Sequence, residues 1–513
     1  MVPLSAKATS RSPQRSLLAV GVLLLCALAL APVLSLGWFA FDAGEGTRFD
    51  LGYGGAEQVL NTLALVALVG LLTAVLGTAT GWLTARCAFP GRHWLRIAQL
   101  LPLATPSYLL AATWIDLGSR YGLRVHGFTP TLIVMVLSTY SYVFLLSTES
   151  FSVSGRRQLE ACRSLGVGPW GSFWRVALPM ALPAIGAGVA LGGMEVVNEL
   201  GAVQLLGVPT LSTGILNRWQ QDGDPQGAVA LALMALLIVA LLVGAERNLR
   251  QRSRCWNLGN DGDADPQWRL VGQRRWLSQA LCLLPPMITL GLPVIWAGLS
   301  WDQLRAEDTT ELLALGSRSF GLALLAAALT VGGGLLLAIA KRWIPNAVLQ
   351  RLTFISGLGY AIPGTVLALA LMLIGGPLAL APLLLLVWGY SDRFLAVSKG
   401  GLDAALERIP PSVDEAATSL GNSWLGVLQR VHLPLLRGPL LVGGLLVFVD
   451  TVKELPLTFA LRPFDFDTLA VRVYQYASDE RVGAALVPAL LILALGILAA
   501  IALIPNLERL ERS

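Results

Sequence analysis

The sequence predicts an all-α polytopic membrane protein built from two tandem sets of six transmembrane helices. Three observations lead to this fold class: the composition, the shape of the apolar runs, and an internal repeat. Of the 513 residues, 55% are hydrophobic and only 13% are charged. A soluble chain needs about 25% charged residues to cover its surface. The composition therefore argues against an ordinary soluble enzyme and against a nucleic-acid-binding protein.

Twelve apolar segments are each long enough to cross a bilayer, which takes about 20 residues of helix. Strands of a membrane barrel would instead alternate between polar and apolar residues over about ten positions. The run at 17–34 shows no such alternation, and the other segments resemble it. The predicted spans, numbered 1 to 12, cover 17–38, 58–85, 97–118, 130–150, 179–204, 228–245, 277–299, 318–340, 352–373, 379–397, 434–457 and 484–505.

The distribution of arginine and lysine predicts the orientation. If the N-terminus lies in the cytoplasm and the spans alternate, most Arg residues fall on the cytoplasmic side, as expected for membrane proteins. Both termini are therefore predicted to be cytoplasmic. An alternative for the first segment is a cleaved secretory signal, with Ala29 and Ala31 as the small residues at the cleavage site. The apolar run is long enough to span, which favours a retained helix.

An internal repeat divides the chain. Residues 160–179 and 415–434 align without a gap at an offset of 255, and ten of the twenty positions are identical. Both halves would enter and leave on the cytoplasmic side, so they are parallel repeats related by an axis along the membrane normal. The sequence thus predicts a first domain at 1–245 and a second domain at 277–513. The Arg-rich stretch 246–276 is interpreted as a solvated cytoplasmic linker.

The repeated segments lie in two long cytoplasmic loops, 151–178 and 398–433. In each loop an acidic residue is expected near the positive N-terminus of a short helix. The alanine that follows lets another surface approach, and a glycine permits a left-handed turn. Apolar residues after the turn indicate docking to a partner. The alternative is that the helices lie on the membrane or on their own bundle. The candidate residues are Glu160, Ala161 and Gly166 in the first loop and Glu415, Ala416 and Gly421 in the second.

The spacing of these residues resembles the signature of binding-protein-dependent ABC transporter permeases. That signature is Glu-Ala-Ala, three residues, Gly, nine residues, an aliphatic residue, one more residue and Leu-Pro. Both copies fit, with Cys162 at a position where the family usually has alanine. The resemblance covers nearly the whole chain and implies two fused type I ABC importer permease domains in a bacterial inner membrane. It also implies that each of the two repeated loops, 151–178 and 398–433, is a coupling loop, which sits in a groove of a separate ATPase subunit.

Partners follow from the same resemblance: two copies of an ABC ATPase and a periplasmic substrate-binding protein, which would dock on outer loops including 205–227 and 458–483. The sequence contains no GxxxxGK[ST] phosphate loop. We therefore expect a transport subunit with no catalytic residues and no cofactor, surrounded by lipid and driven by ATP hydrolysis in its partners.

Several segments resemble the ferric-iron branch of this family, namely 206–219, 359–371 and 453–480. That branch commonly fuses two permease domains and takes iron from a periplasmic ferric-binding protein. Thiamine permeases are also fused pairs and remain an alternative. An ion-coupled secondary transporter is an alternative of another class, because twelve spans in two related halves suit it as well. Such a transporter would not need two matched docking loops.

Acidic residues near the outer ends of spans 5 and 11 are candidates for the substrate pathway: Glu195 and Glu199, and Asp450 and Glu454 at equivalent positions. Charges within membrane spans are functional candidates by default, and carboxylate oxygens suit a hard cation. The alternative is that Asp450, Lys453 and Glu454 pair with one another and fix helix packing. The isolated histidines and five scattered cysteines predict no metal site.

Proline occupies matching places in spans 3 and 9, at Pro106 and Pro363. A proline inside a helix removes a backbone hydrogen bond and bends the helix. We therefore expect a kink in each of these two spans, either for packing or for gating.

Overall fold

The computed structural model describes residues 13–42, 51–52, 54–153, 162, 164–254, 268–300, 302, 309–344, 346–479 and 481–498. Helices make up nearly all of the regular structure in these ranges. One pair of two-residue parallel strands, Cys87–Ala88 with Trp268–Arg269, is the exception. The all-α class is confirmed.

Eight helices in the described ranges are long and apolar enough to cross a membrane, and they coincide with predicted spans 1, 2, 4, 5, 6, 7, 8 and 11. Span 7 is continuous through a π turn at Met287–Gly291. The eight helices are Leu18–Phe41, Gly55–Arg86, Phe128–Ser152, Trp170–Asn198, Pro225–Leu249, Gln273–Leu299, Thr309–Trp343 and Trp424–Lys453.

Spans 3 and 9 bend at the two prolines, and each bend is a break in the helix rather than a mild kink. Segment Arg92–Ala104 meets helix Ser107–Arg120 at 91°, and Ala347–Ala361 meets Gly364–Gly375 at 115°. The residue before each proline is extended, with ψ of 117° at Thr105 and 122° at Ile362. Proline disfavours helical ψ in the residue before it, and in both spans the chain turns at that point.

Spans 10 and 12 differ from the others. Span 10 is the helix Pro382–Glu407, which is 26 residues long but carries several charged side chains, including the buried Asp392 and Lys399. Span 12 is a shorter apolar helix, Leu486–Leu498, at the end of the described residues.

Spans 5 and 11 end earlier than predicted, at Asn198 and Lys453 rather than at 204 and 457. After a two-residue break, each is followed by a short helix, Gly201–Leu205 or Pro456–Leu461. Helices Leu211–Gln220 and Leu469–Ser478 come next. Gly201 and Pro456 occupy the first position of these two short helices.

The first helix of each half packs against the other half. The helix Pro13–Asp42 lies against Gly364–Gly375 and Thr309–Trp343. Trp388 Nε1 donates to the Leu28 backbone oxygen at 3.1 Å. Span 7, the first helix of the second half, contacts the first half in the same way. Its Trp296 Nε1 donates to Asp116 Oδ2 at 2.7 Å. The two halves are therefore interlocked, while the domain boundaries themselves remain predictions.

Both ends of the linker form regular structure, whereas the sequence was interpreted as a solvated connector. Span 6 continues as a helix to Arg254. At the other end, the Trp268 ring lies 5.4 Å from the Trp82 ring, and Leu270 N donates to the Ala88 oxygen at 3.0 Å. Residues 255–267 lie outside the described residues.

Candidate functional site

All four acids proposed for the substrate pathway line one cavity between the two halves, namely Glu195, Glu199, Asp450 and Glu454. The cavity lies where spans 5 and 11 end and beside the breaks at Pro106 and Pro363. The repeat brings the acids together because each half supplies its equivalent pair at the shared axis.

Hydroxyl and basic side chains complete the lining. Tyr142 of the first half and Tyr360 of the second both line the cavity. Ser138 and Thr139 add hydroxyl groups, and Arg393 and Lys453 add two positive charges. The sequence analysis did not identify the tyrosines or Arg393, since they lie on spans 4, 9 and 10, far from the acids along the chain.

Glu199 and Glu454 are buried and play equivalent structural roles. Glu199 Oε1 accepts from Ala202 N at 2.8 Å. The Glu454 carboxylate accepts from Leu457 N and Thr458 N, each at 3.0 Å. Each acid thus satisfies amides at the start of the short helix after its span, where helix backbones lack internal partners.

The neighbours of these two acids differ between the halves. Ser107 Oγ donates to Glu199 Oε2 at 2.5 Å. At an offset of 257, the place of Ser107 is taken by Gly364, where a Cβ would lie only 3.0 Å from Glu454 Oε1. Gly364 N donates instead to Asn198 Oδ1 of the first half at 2.7 Å. This site therefore also joins the two halves.

Asp450 and Lys453 form an ion pair of 2.9 Å. Lys453 Nζ also donates to the Leu103 oxygen at 3.1 Å, which ties span 11 to the broken span 3 of the other half. Of the predicted Asp450–Lys453–Glu454 pairing, the first two residues are paired. Glu454 is engaged with backbone amides instead.

The electrostatic character of the cavity is acidic. Four carboxylates and two basic groups line it, so ionised side chains give a net charge of −2. Among the described residues, no group of three or more His, Cys, Asp or Glu side chains is arranged to hold a metal ion. The chemistry available is that of oxygen-rich, negatively charged walls, which attract a cation.

The second coupling loop is described in full. Helix Pro411–Ser419 carries Glu415 and Ala416 on its exposed surface. The helix begins at Pro411 rather than at the acid, because proline suits the first turn of a helix. Gly421 follows with φ of +81°.

In the first loop, Glu160 and Ala161 lie outside the described residues. Gly166 has φ of +76°, so both glycines adopt the predicted left-handed turn. Just before them, Leu165 and Leu420 are equivalent and are 80% and 83% exposed. Phe173, by contrast, is buried against Trp82, with ring centroids 5.1 Å apart. The apolar patch is thus only partly available to a partner.

A polar cluster beside the second loop was not identified from the sequence. Asp414, the residue before Glu415, lies 2.7 Å from Arg342 Nε and 3.1 Å from His432 Nε2. Trp343 Nε1 also donates to Asp414 at 3.2 Å. Only the position of Asp414 next to the repeated acid could have drawn attention to it.

Comparison with known proteins gives related sequences along the chain. Residues 77–254 match the family described as binding-protein-dependent transport system inner membrane component. The Fe(3+)-transport system permease protein FbpB 2 of Haemophilus influenzae is 28% identical, over 84% of this chain and 86% of its own length. The probable sulfate transport system permease protein cysT of Chlorokybus atmophyticus is 31% identical, over 37% of this chain and 73% of its own length. The molybdenum transport system permease protein ModB of Escherichia coli is 27% identical, over 36% of this chain and 90% of its own length.

Proposed function

The chain belongs to the family of binding-protein-dependent transport system inner membrane components, and we propose that it is the fused permease of an ABC importer for ferric iron. The observation that supports ferric iron as the substrate is the share of this chain that aligns with each relative. The relative named for Fe(3+) transport aligns with 84% of this chain, whereas the sulfate and molybdenum relatives align with 37% and 36%.

The charge of the cavity supports a cation over an oxyanion. Four carboxylates face two basic groups, and Lys453 is already paired with Asp450. Hard cations prefer oxygen ligands. Walls that bind such an ion weakly and at several places allow it to leave, as conduction requires.

The transport cycle we propose uses partners on both faces. A periplasmic binding protein delivers the ion to the outer loops. Two ATPase subunits bind the coupling loops, through Glu160, Ala161 and Gly166 in the first and Glu415, Ala416 and Gly421 in the second. ATP-driven closure of these subunits moves the loops and opens the cavity alternately to the two sides. Both termini lie in the cytoplasm, and the chain itself hydrolyses no ATP.

The experiment is uptake into vesicles containing the permease, its ATPase and its loaded binding protein. Radiolabelled ferric iron, thiamine and sulfate are offered in parallel. We expect ATP-dependent uptake of iron that requires the binding protein. Uptake of thiamine or sulfate instead of iron would contradict the proposed substrate. Uptake without an ATPase would contradict the assignment as an ABC importer.

The coupling role is tested separately by the double variant Glu160→Gln and Glu415→Gln. Loss of ATPase copurification, or of ATP-driven uptake, is expected. Normal uptake with normal ATPase binding contradicts the role given to these acids.

A further inference from the structure

We propose that Asp414 is a positioning residue that clamps the second coupling loop to spans 8 and 11. The inference rests on the proposed function, in which these loops receive motion from the ATPase subunits. It adds a contact of the second loop that the repeated signature does not include.

Arg342 forms one side of the clamp, at the cytoplasmic end of helix Thr309–Trp343. Its Nε lies 2.7 Å from Asp414 Oδ2, and the two side chains are only 14% and 17% exposed. Its remaining nitrogens donate to three backbone oxygens that lead into the coupling helix: Leu406 at 2.8 Å, Ile409 at 2.9 Å and Pro410 at 3.2 Å. The planar guanidinium suits such multiple contacts, which a lysine ammonium would not reproduce.

One further side chain donates to the same carboxylate, and a second lies against it. Trp343 Nε1 donates to Asp414 Oδ2 at 3.2 Å. His432 is fully buried, and its Nε2 lies 3.1 Å from Asp414 Oδ1. One carboxylate therefore joins three elements: the coupling helix, the end of span 8, and the base of span 11.

The clamp connects the loop with the cavity. His432 is followed directly by helix Leu433–Lys453, whose last turn contains Asp450 and Lys453. A helix of this length spans about 30 Å. Displacement of helix Pro411–Ser419 therefore shifts a rigid element that ends at the cavity wall.

The three clamp residues are not repeated in the sequence of the first half. At the offset of 255, Arg342, Asp414 and His432 correspond to Cys87, Leu159 and Ala177. None of these residues carries a charge. Cys87 instead belongs to an apolar cluster with Trp82 and Phe173, against which Trp268 of the linker packs.

The first test measures coupling in the complete reconstituted transporter. Asp414→Asn and Arg342→Gln should still assemble with the ATPase, while the amount of substrate imported per ATP hydrolysed falls at least about fivefold. The matched control is Glu407→Gln, which removes a 3.1 Å ion pair to Lys341 at the same end of the bundle but on a 71% exposed side chain. An unchanged import-to-hydrolysis ratio in Asp414→Asn overturns the proposal.

The second test needs no transport, so its failure is distinct from failure of the proposed function. Spin labels are attached at Leu165→Cys or Leu420→Cys in the full-length permease without its native cysteines. Both positions are highly exposed and equivalent in the repeat. Asp414→Asn should increase label mobility at 420 and leave 165 unchanged. Equal mobility at 420 with and without Asp414 contradicts the clamp, and Asp414→Glu provides a conservative variant if Asp414→Asn does not fold.

Discussion

Glu199 and Glu454 lie 255 residues apart and accept amide hydrogens from the short helices that follow them, Glu199 from Ala202 and Glu454 from Leu457 and Thr458. Two of the four acids assigned to the substrate pathway are thus also structural. Glu195 and Asp450, one turn earlier on their helices, face the same cavity without capping a helix. The two pairs should therefore respond differently to substitution.

Removing a capping acid should destabilise the permease. Glu454→Ala leaves two backbone amides and the Thr458 hydroxyl without this acceptor. Hydrogen bonds to a charged group contribute about 1.5–3 kcal/mol, so we expect a loss of that order and a lower melting temperature in nanodiscs. Glu454→Gln, which keeps one acceptor oxygen, should lose less. An unchanged melting temperature in Glu454→Ala would show that the cap contributes nothing.

Glu195→Gln should affect transport rather than folding. The side chain lines the cavity, where its carboxylate would contact a passing cation. Loss of one charged contact corresponds to roughly a ten- to hundredfold change in an equilibrium or rate. Ferric-iron uptake should therefore fall by about tenfold, with the melting temperature retained. Wild-type uptake in this variant would remove Glu195 from the pathway.

The left-handed glycine of the second loop gives a backbone prediction. At Gly421, with φ of +81°, an added Cβ meets no atom within 4 Å, so the cost of Gly421→Ala is backbone strain alone. That strain is about 1–2 kcal/mol, and asparagine should be tolerated better. Thermal unfolding measures the difference. Gly400→Ala is the matched control, because Gly400 also has open space but lies inside helix Pro382–Glu407; alanine there should be neutral or stabilising.

The sequence predicted what depends on local pattern and missed what depends on packing between distant segments. Span positions and the repeat follow from hydrophobicity and identity along the chain. Pro106 was expected to kink a helix, yet the 91° turn there brings the broken span to the cavity, where Lys453 Nζ reaches the Leu103 oxygen. The exchange of first helices rests on contacts such as Trp296 with Asp116, 180 residues apart. No spacing rule links such positions.

Asp414 illustrates the same limit at the loop. In the sequence it is one more acid beside Glu415. Its importance comes from Arg342, which lies 72 residues earlier. Charge pairs at such separations can be found only once the helices are placed.

The Cys87 thiol should be unreactive in the folded protein. It is 2% exposed, and burial raises its pKa from an ordinary 9.0 to about 12, with Arg92 opposing part of that rise. Because the thiolate is the reactive form, alkylation at pH 8 should be negligible until the protein unfolds. The pKa of this thiol is higher in the folded than in the unfolded protein. Its contribution to the free energy of unfolding is therefore fully present below pH 9 and is lost between about pH 9 and 12.

Maleimide labelling of single-cysteine variants checks this prediction. Cys162, which is less buried, serves as the reactive comparison. Rapid labelling of Cys87 in the native state at pH 8 would contradict its burial.

Cutting the linker should not separate the halves. Residues 1–254 and 268–513 can be expressed as two chains, broken within the stretch outside the described residues. The helix Pro13–Asp42 packs on the second half and span 7 packs on the first, so each chain holds the other through buried apolar surface. The strand pairing of Cys87 with Trp268 adds a contact between the two chains. A tag on one chain should therefore recover the other.

A first chain shortened to 51–254 lacks its exchanged helix and should be recovered less well. Equal recovery with and without that helix would mean that the exchange of first helices does not hold the halves together.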